Sequence, residues 1–285
     1  MKYIGFYINL DRNPERRQGI EEELARNGLG GLYTRFPASN GNELKFPNPR
    51  LKEGEIGCFT SHYRLLMANK DNPLPLHVIE DDIVLSPQVG PLLDKVVEGG
   101  ELAKYDIVYT DVAVPVSNTL CMAYKAFYDA NVKRDKTGKI ESVTYSIIDM
   151  REMVFASTCS FLVNPQSIGK LAALYEDELK RGARVPIDIF IRKMCQDGVL
   201  KVVCIFPFIT SIPPESCFAS TMEKRFDEMP ALASNMLRHS FYIGCDWGRL
   251  KEASRIFPQP ESSDQHRQLM LRLLGYCLTP EYERL

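Results

Sequence analysis

The feature that most constrains this chain is a short apolar run, Leu74–Ile79, that passes without a break into three acids, Glu80-Asp81-Asp82. This segment reads as a buried strand. Three adjoining carboxylates at the end of such a strand repel one another, and a divalent cation removes the repulsion. On an extended backbone Glu80 and Asp82 point to one side and Asp81 to the other. Two carboxylates on one face suit Mg²⁺ or Mn²⁺, hard ions that keep positions open for phosphate oxygens. A solvated acidic turn would show the same three letters, so the neighbouring segments have to decide.

Those segments complete a βαβαβ pattern. Residues 3–10 read as a buried strand, and Asn13-Pro14-Glu15 opens a helix with Asn13 as cap and proline at the first helical position. Gly28 stops that helix. Tyr33–Phe36 is a second strand, Pro37-Ala38-Ser39-Asn40-Gly41 a loop, and residues 42–54 a surface loop. A helix from Cys58 to Lys70 carries Phe59, Tyr63, Leu66 and Met67 at helical spacing. Beyond the acids the pattern predicts a helix over 89–103 and a strand over 106–110. A strand over 159–163, a helix over 165–179, a short helix opened by Val185-Pro186-Ile187-Asp188 and a strand over 200–206 follow. The order predicts an α/β fold, a mostly parallel central sheet covered by helices. Residues 112–150 read as an insertion in a catalytic domain 1–228, with a helix at 118–131, and residues 229–285 as a helical C-terminal subdomain.

Composition narrows the partners. The 285 residues are 45% apolar, enough to bury a large core. Net charge is −2 with scattered Lys and Arg, which argues against nucleic acid or an anionic membrane as the main partner but allows a small acidic ligand. Residues 202–209, interrupted by Pro207, are too few to span a bilayer, and Asp11-Arg12 breaks the N-terminal apolar run too early for a signal peptide. Eight cysteines without a CxxC pair are expected as buried free thiols rather than disulfides or a zinc site. A cytoplasmic protein is expected, and peripheral association with the inner face of a membrane stays open.

Two more segments carry chemistry. Gly54-Glu55-Ile56-Gly57-Cys58-Phe59-Thr60-Ser61-His62 places a histidine on a helix, where a structural role is the commoner one. Asn9-Leu10-Asp11-Arg12-Asn13-Pro14-Glu15-Arg16-Arg17 sets arginines at a strand–helix junction, where they balance phosphates or simply meet solvent. A nucleotidyltransferase or metal phosphohydrolase would also use strand-end acids, but the chain has no GxxxxGK[ST] loop and its histidines are only His62, His77, His239 and His266.

Taken in order, INLDRNPERR, FPASNG, GEIGCFTSH and HVIEDD resemble glycosyltransferase family 25, which includes bacterial lipopolysaccharide and lipooligosaccharide β-galactosyltransferases and procollagen galactosyltransferases. The resemblance is densest over 3–87 and continues through Ala156–Leu162 and Val185–Asp188. It implies a GT-A-type fold, a UDP-sugar donor (commonly UDP-galactose), Mn²⁺ or Mg²⁺, and inverting transfer of a hexose to a saccharide or glycolipid acceptor in cell-surface glycan synthesis. Glucose or another hexose, and a catalytically silent nucleotide-sugar-binding protein, are the alternatives. The resemblance makes Asp82 the principal metal ligand, puts Glu80 on the metal or the donor ribose, and counts Asp81 among the donor contacts. Asn9, Leu10 and Asp11 would line the uridine pocket with Arg12 and Arg16 close by, and Ser61 and His62 would face the donor from their helix. Asp188 is the candidate general base, unless it only caps its helix, and Asp111 and Glu215 are next in line. Asn40-Gly41 departs from the family's usual acid before that glycine.

Overall fold

The computed structural model describes residues 2–44, 51–113 and 131–213, with 216, 235, 238–246, 248–249 and 252. Its elements are β1 (Ile4–Asn9), α1 (Pro14–Arg26), β2 (Tyr33–Pro37), α2 (Glu53–Ala68), β3 (Leu76–Glu80), β4 (Val84–Leu85) and α3 (Val89–Glu98). They continue with β5 (Ile107–Tyr109), β6 (Val132–Arg134), β7 (Ile140–Val143), β8 (Ser146–Asp149), β9 (Ser160–Val163), α4 (Ile168–Lys180), α5 (Ile187–Gln196), β10 (Val202–Phe206) and β11 (Thr210–Ser211).

The main sheet runs β2-β1-β3-β9-β5-β10-β8. β2, β1, β3, β5 and β10 share one direction, and only β9 and β8 oppose it. Side-chain alternation then sorts the core into two halves. Leu76 and Val78 of β3, with Val202, Cys204 and Phe206 of β10, pack under α2, α4 and α5 through Phe59, Leu65, Leu171, Tyr175, Phe190 and Ile191. Ile79, Val203 and Ile205 face the other way, against Ile20 and Leu24 of α1 and Leu92, Leu93 and Val96 of α3. This is the mostly parallel, doubly covered sheet expected from the βαβαβ order of the elements.

Several local expectations change. Asn13 holds the cap position of α1, but its side chain makes no capping bond, and Pro14 alone marks the start. The end is as expected: Gly28 adopts φ +70°, its N–H bonds Ala25 O, and Leu29 N–H reaches back to Leu24 O at 2.8 Å. α2 begins at Glu53, earlier than Cys58, because Glu55 accepts from the Lys52 backbone N–H at 3.0 Å and the two glycines that read as loop are helical. Met67 is 40% exposed, whereas Ile56, Phe59, Leu65 and Leu66 carry the buried face. The helix expected over 89–103 stops at Glu98, where Gly99 and Gly100 (φ +72°) intervene, and a 3-10 turn at Leu102–Lys104 takes up the rest.

The described part of 112–150 forms the β6–β7 hairpin and then β8, which pairs with β10 at the edge of the main sheet. The helix expected at 118–131 lies, but for its last residue, outside the described residues. Past residue 229, Phe241 stacks edge-on against Phe206 and Phe208, and Tyr242 bridges Phe208. Among the described residues no helix is long and apolar enough to cross a membrane. Cys58, Cys159, Cys195, Cys204 and Cys245 are free thiols, and Cys121, Cys217 and Cys277 lie outside the described residues.

The loop before α2 is locked to that helix by close backbone contact. A Cβ on Gly41 would fall inside the Glu53 carbonyl, and one on Gly57 would sit 2.7 Å from Ser39 O. Ser61 completes the lock by accepting from Ser39 N–H at 2.8 Å and donating to Gly57 O at 2.6 Å. Gly41→Ala is therefore expected to lower unfolding stability by about 1–3 kcal/mol in urea titration. Gly19→Ala, on the open face of α1 with nothing near its Cβ, should raise it by roughly 0.5–1 kcal/mol. Equal effects of the two changes would contradict the close-contact explanation.

Candidate active site

The sheet brings the acids together. β1, β3 and β5 end at one edge, and the antiparallel β9 begins there, with Ile79 opposite Ser160 and Glu80 N–H bonded to Cys159 O at 2.9 Å. Asn9, the acidic triplet, Asp111 and the loop 156–159 thus meet at the carboxyl ends of the strands, where open α/β sheets place ligands.

Glu80, still in register, points toward α2. Its Oε1 accepts from Thr158 Oγ1 at 2.7 Å and stands 3.6 Å from His62 Nε2. Burial pushes the Glu80 carboxyl up, but His62, Thr158 and Arg16 outweigh it and leave the group below its ordinary value. Asp81 turns toward α1. Its oxygens take Asn9 Nδ2 at 2.7 Å and Arg16 Nη1 at 3.0 Å. Burial nevertheless raises its carboxyl to about 6. Arg16 also pairs with Asp82 through Oδ2. Burial, reinforced by Glu80, lifts the Asp82 carboxyl above its ordinary value despite that arginine.

Arg16 leaves this charge incompletely answered. Asp82 Oδ1 is buried and accepts no hydrogen bond. Glu80 and Asp82 each bring one carboxylate oxygen within 4.8 Å of the other. An unpartnered carboxylate oxygen beside a second carboxylate fits a hard divalent ion, which wants several oxygens and tolerates their mutual repulsion.

Asp188 joins the site through one loop. Its Oδ2 accepts from Ser157 N–H at 3.1 Å and its Oδ1 from Ile189 N–H at 2.8 Å, while Pro186 holds the cap position of α5. The next residue, Thr158, holds Glu80, so Asp188 and the triplet are tied to adjoining residues. Ser157 has φ +93°, a left-handed backbone that costs a serine strain and here aims its N–H at Asp188.

The remaining expected residues divide. Asn9, 1% exposed, has its amide committed to Asp81, to Asn13 O and to Arg35 Nε. Asp11 pairs with Arg35 at the surface, Arg12 is exposed and Leu10 is half-buried. The Ser61 hydroxyl is taken up by the loop contact. His62, 2% exposed, stacks on Phe161. Glu215 lies outside the described residues.

Arg35, Ser157, Thr158 and Arg238 escaped the sequence reading. Ser157 and Thr158 lie in the Ala156–Leu162 segment, but nothing in their letters marks a hub. Arg238 sits in the segment 229–285, which reads from its sequence only as a helical subdomain. It is 5% exposed and grips Asp111 with two bonds of 2.7 and 2.8 Å, and its third contact is Ser157 Oγ at 3.0 Å. Burial pushes the Asp111 carboxyl up to about 6 against that arginine.

Residues 3–191 match the model of glycosyltransferase family 25, described as LPS biosynthesis protein. The chain belongs to glycosyltransferase family 25. This family 25 member has the expected α/β arrangement, a mostly parallel sheet with its acids at the strand ends. It is 32% identical over 124 residues to a glycosyltransferase 25 family member of Drosophila pseudoobscura pseudoobscura, covering 36% of this chain and 20% of that one. To the Aedes aegypti member it is 30% identical over 130 residues, with the same coverage. The chain thus matches only about a fifth of the length of these relatives. A solved structure of the galactosyltransferase LgtC with donor and acceptor sugar analogs overlaps 90% of this chain and 97% of its own at 13% identity and a TM-score of 0.35. Mouse xyloside xylosyltransferase 1 overlaps 71% and 78% at 8% identity and a TM-score of 0.31.

The Arg238–Asp111 pair yields a stability prediction. Arg238→Met leaves a buried carboxylate without its partner and should cost about 3–5 kcal/mol, whereas Arg238→Met with Asp111→Leu should recover most of the loss. Denaturant titration of both variants checks this, and a double variant as unstable as the single one would show that the ion pair is not the source.

Proposed function

We propose that this family 25 member is an inverting hexosyltransferase that takes a hexose, galactose by preference, from a UDP-sugar and passes it to a hydroxyl of a saccharide or glycolipid acceptor. The observation that carries the reading is the buried, unpartnered Oδ1 of Asp82 beside Glu80 at the carboxyl end of β3. Asp82 and Glu80 would hold Mn²⁺ or Mg²⁺. When bound, such an ion supplies Lewis-acid stabilisation of the charge that develops on the leaving diphosphate. Arg16 holds the remaining carboxylate charge in check from α1, and Asn9 fixes Asp81 against it. Leu10, Asp11 and Arg12 lie at the open rim beyond β1, where a uridine and its phosphates would enter.

In this reading Asp188 takes the proton of the acceptor hydroxyl as its oxygen attacks the anomeric carbon and the bond to UDP breaks on the opposite face. Two backbone N–H groups fix the orientation of its carboxylate, and the loop 157–158 sets its place relative to Glu80. We place the reaction in cell-surface glycan synthesis, in the cytoplasm, on an acceptor presented at the inner face of a membrane. One observation favours a second reading, a nucleotide-sugar-binding protein without turnover: Arg16 already pairs with both Asp81 and Asp82.

Asp188→Asn tests the assignment and separates the two readings. It keeps the side-chain shape but cannot accept the proton, and loss of a general base typically slows transfer about a hundredfold to ten-thousandfold. Calorimetry should show UDP-sugar binding unchanged in Mn²⁺ while turnover nearly vanishes. Weakened donor binding with unchanged turnover on bound donor would make Asp188 a donor contact and return Asp111 and Glu215 to consideration as the base. Absence of turnover in the unmodified protein over a panel of UDP-sugars and acceptors would favour the binding protein.

A further inference from the structure

Cys58, His62 and Glu80 converge on a point beneath the carboxylates, and we propose that they form a second cation site, for a borderline-soft divalent ion of the zinc class. Cys58 and His62 are one helical turn apart on α2, so both project from the same face. Glu80, the last residue of β3, is directed at that face by the alternation of its strand. His62 Nε2 lies 3.6 Å and Cys58 Sγ 4.0 Å from Glu80 Oε1, and the three ligand atoms all fall within 4.8 Å of one another. A tetrahedral ion with bonds of roughly 2.0–2.3 Å needs its ligand atoms roughly 3.3–3.7 Å apart. The His62–Glu80 separation already lies in that range and the Cys58–Glu80 separation stands just above it.

The environment of the histidine points the same way. His62 is 2% exposed, its Nε2 makes no hydrogen bond and faces Glu80 Oε1 at the longer distance of 3.6 Å, and the ring is held in place by stacking on Phe161 at 5.6 Å. A buried imidazole nitrogen fixed in orientation and aimed at a thiol and a carboxylate is arranged as a metal ligand. One thiol, one imidazole and one carboxylate favour a zinc-class ion over Mg²⁺ or Mn²⁺, which prefer oxygen throughout. Three protein ligands leave the fourth position to water or to the Thr158 hydroxyl, which is 3.8 Å from Sγ.

The two sites share Glu80. An ion held by Cys58 and His62 would engage the Glu80 oxygen that already faces α2, so zinc-class ions compete for Glu80 with the hard ion of the proposed transferase. This competition rests on the function proposed above, but the binding itself does not.

Co²⁺ is the probe, because a thiolate bound to it gives a charge-transfer band in the near ultraviolet and tetrahedral coordination gives strong visible absorption. The full-length protein titrated with Co²⁺ should develop both at one equivalent, and Zn²⁺ should abolish them. Cys58→Ser should lose the charge-transfer band and Cys159→Ser should keep it. His62→Gln should weaken Co²⁺ binding at least about tenfold, which keeps the proposal testable if Cys58→Ser does not fold. Absence of the band, its survival in Cys58→Ser or its loss in Cys159→Ser would overturn the site. Failure of sugar transfer would leave the cobalt spectrum unchanged, so the two proposals fail separately.

Discussion

Five carboxylates, Glu80, Asp81, Asp82, Asp111 and Asp188, crowd one edge of a sheet whose strands are otherwise buried, and much of the local structure answers that charge. Each acid has its own counterweight: Thr158 and His62 for Glu80, Asn9 and Arg16 for Asp81, Arg16 for one oxygen of Asp82, Arg238 for Asp111, and backbone N–H groups for Asp188. The counterweights come from α1, α2, the loop before β9 and the segment around residue 238. These segments are distant in sequence, and the sheet order brings them to one edge. The fold and the charge balance are therefore coupled, since moving any one of these elements would leave a carboxylate in low dielectric without its partner.

Arg238 shows how far that coupling reaches. It comes from beyond residue 229, where the sequence suggested a separate helical subdomain, and it is buried at the edge that carries the triplet. Phe241 and Tyr242 beside it pack on the end of the main sheet. The described part of this C-terminal segment thus helps to build the candidate site, and its motif-poor sequence is compatible with an essential contact.

What was legible in the sequence was what depends on local rules. The apolar run before Glu80, the proline that opens α1 and the glycine that closes it fixed strands and helices near their observed places, because hydrophobic alternation and backbone preferences act within a few residues. The triplet was legible as a candidate site only together with the motifs around it, because a solvated acidic turn would show the same three letters. The partners were not legible. Thr158 meets Glu80 across 78 residues and Arg238 meets Asp111 across 127, and no local pattern encodes such pairs. Cys58 and His62 were visible on one helix, but only the direction of Glu80 on its strand makes them a cluster. Gly57 misled for a related reason: it reads as a loop residue, yet it is glycine because the Ser39 carbonyl passes close to the helix.

The most direct measurement is a thermal-shift titration of the protein with UDP, with and without Mn²⁺, on the unmodified chain and on Asp82→Asn. A ligand that binds only the native state raises Tm by mass action. If Asp82 and Glu80 hold a divalent ion that in turn holds the diphosphate, UDP raises Tm clearly in Mn²⁺ and little in EDTA, and Asp82→Asn removes the difference. An equal UDP shift in EDTA, or a Mn²⁺-dependent shift that survives Asp82→Asn, would contradict the assignment of the triplet as the metal-bearing centre of the site.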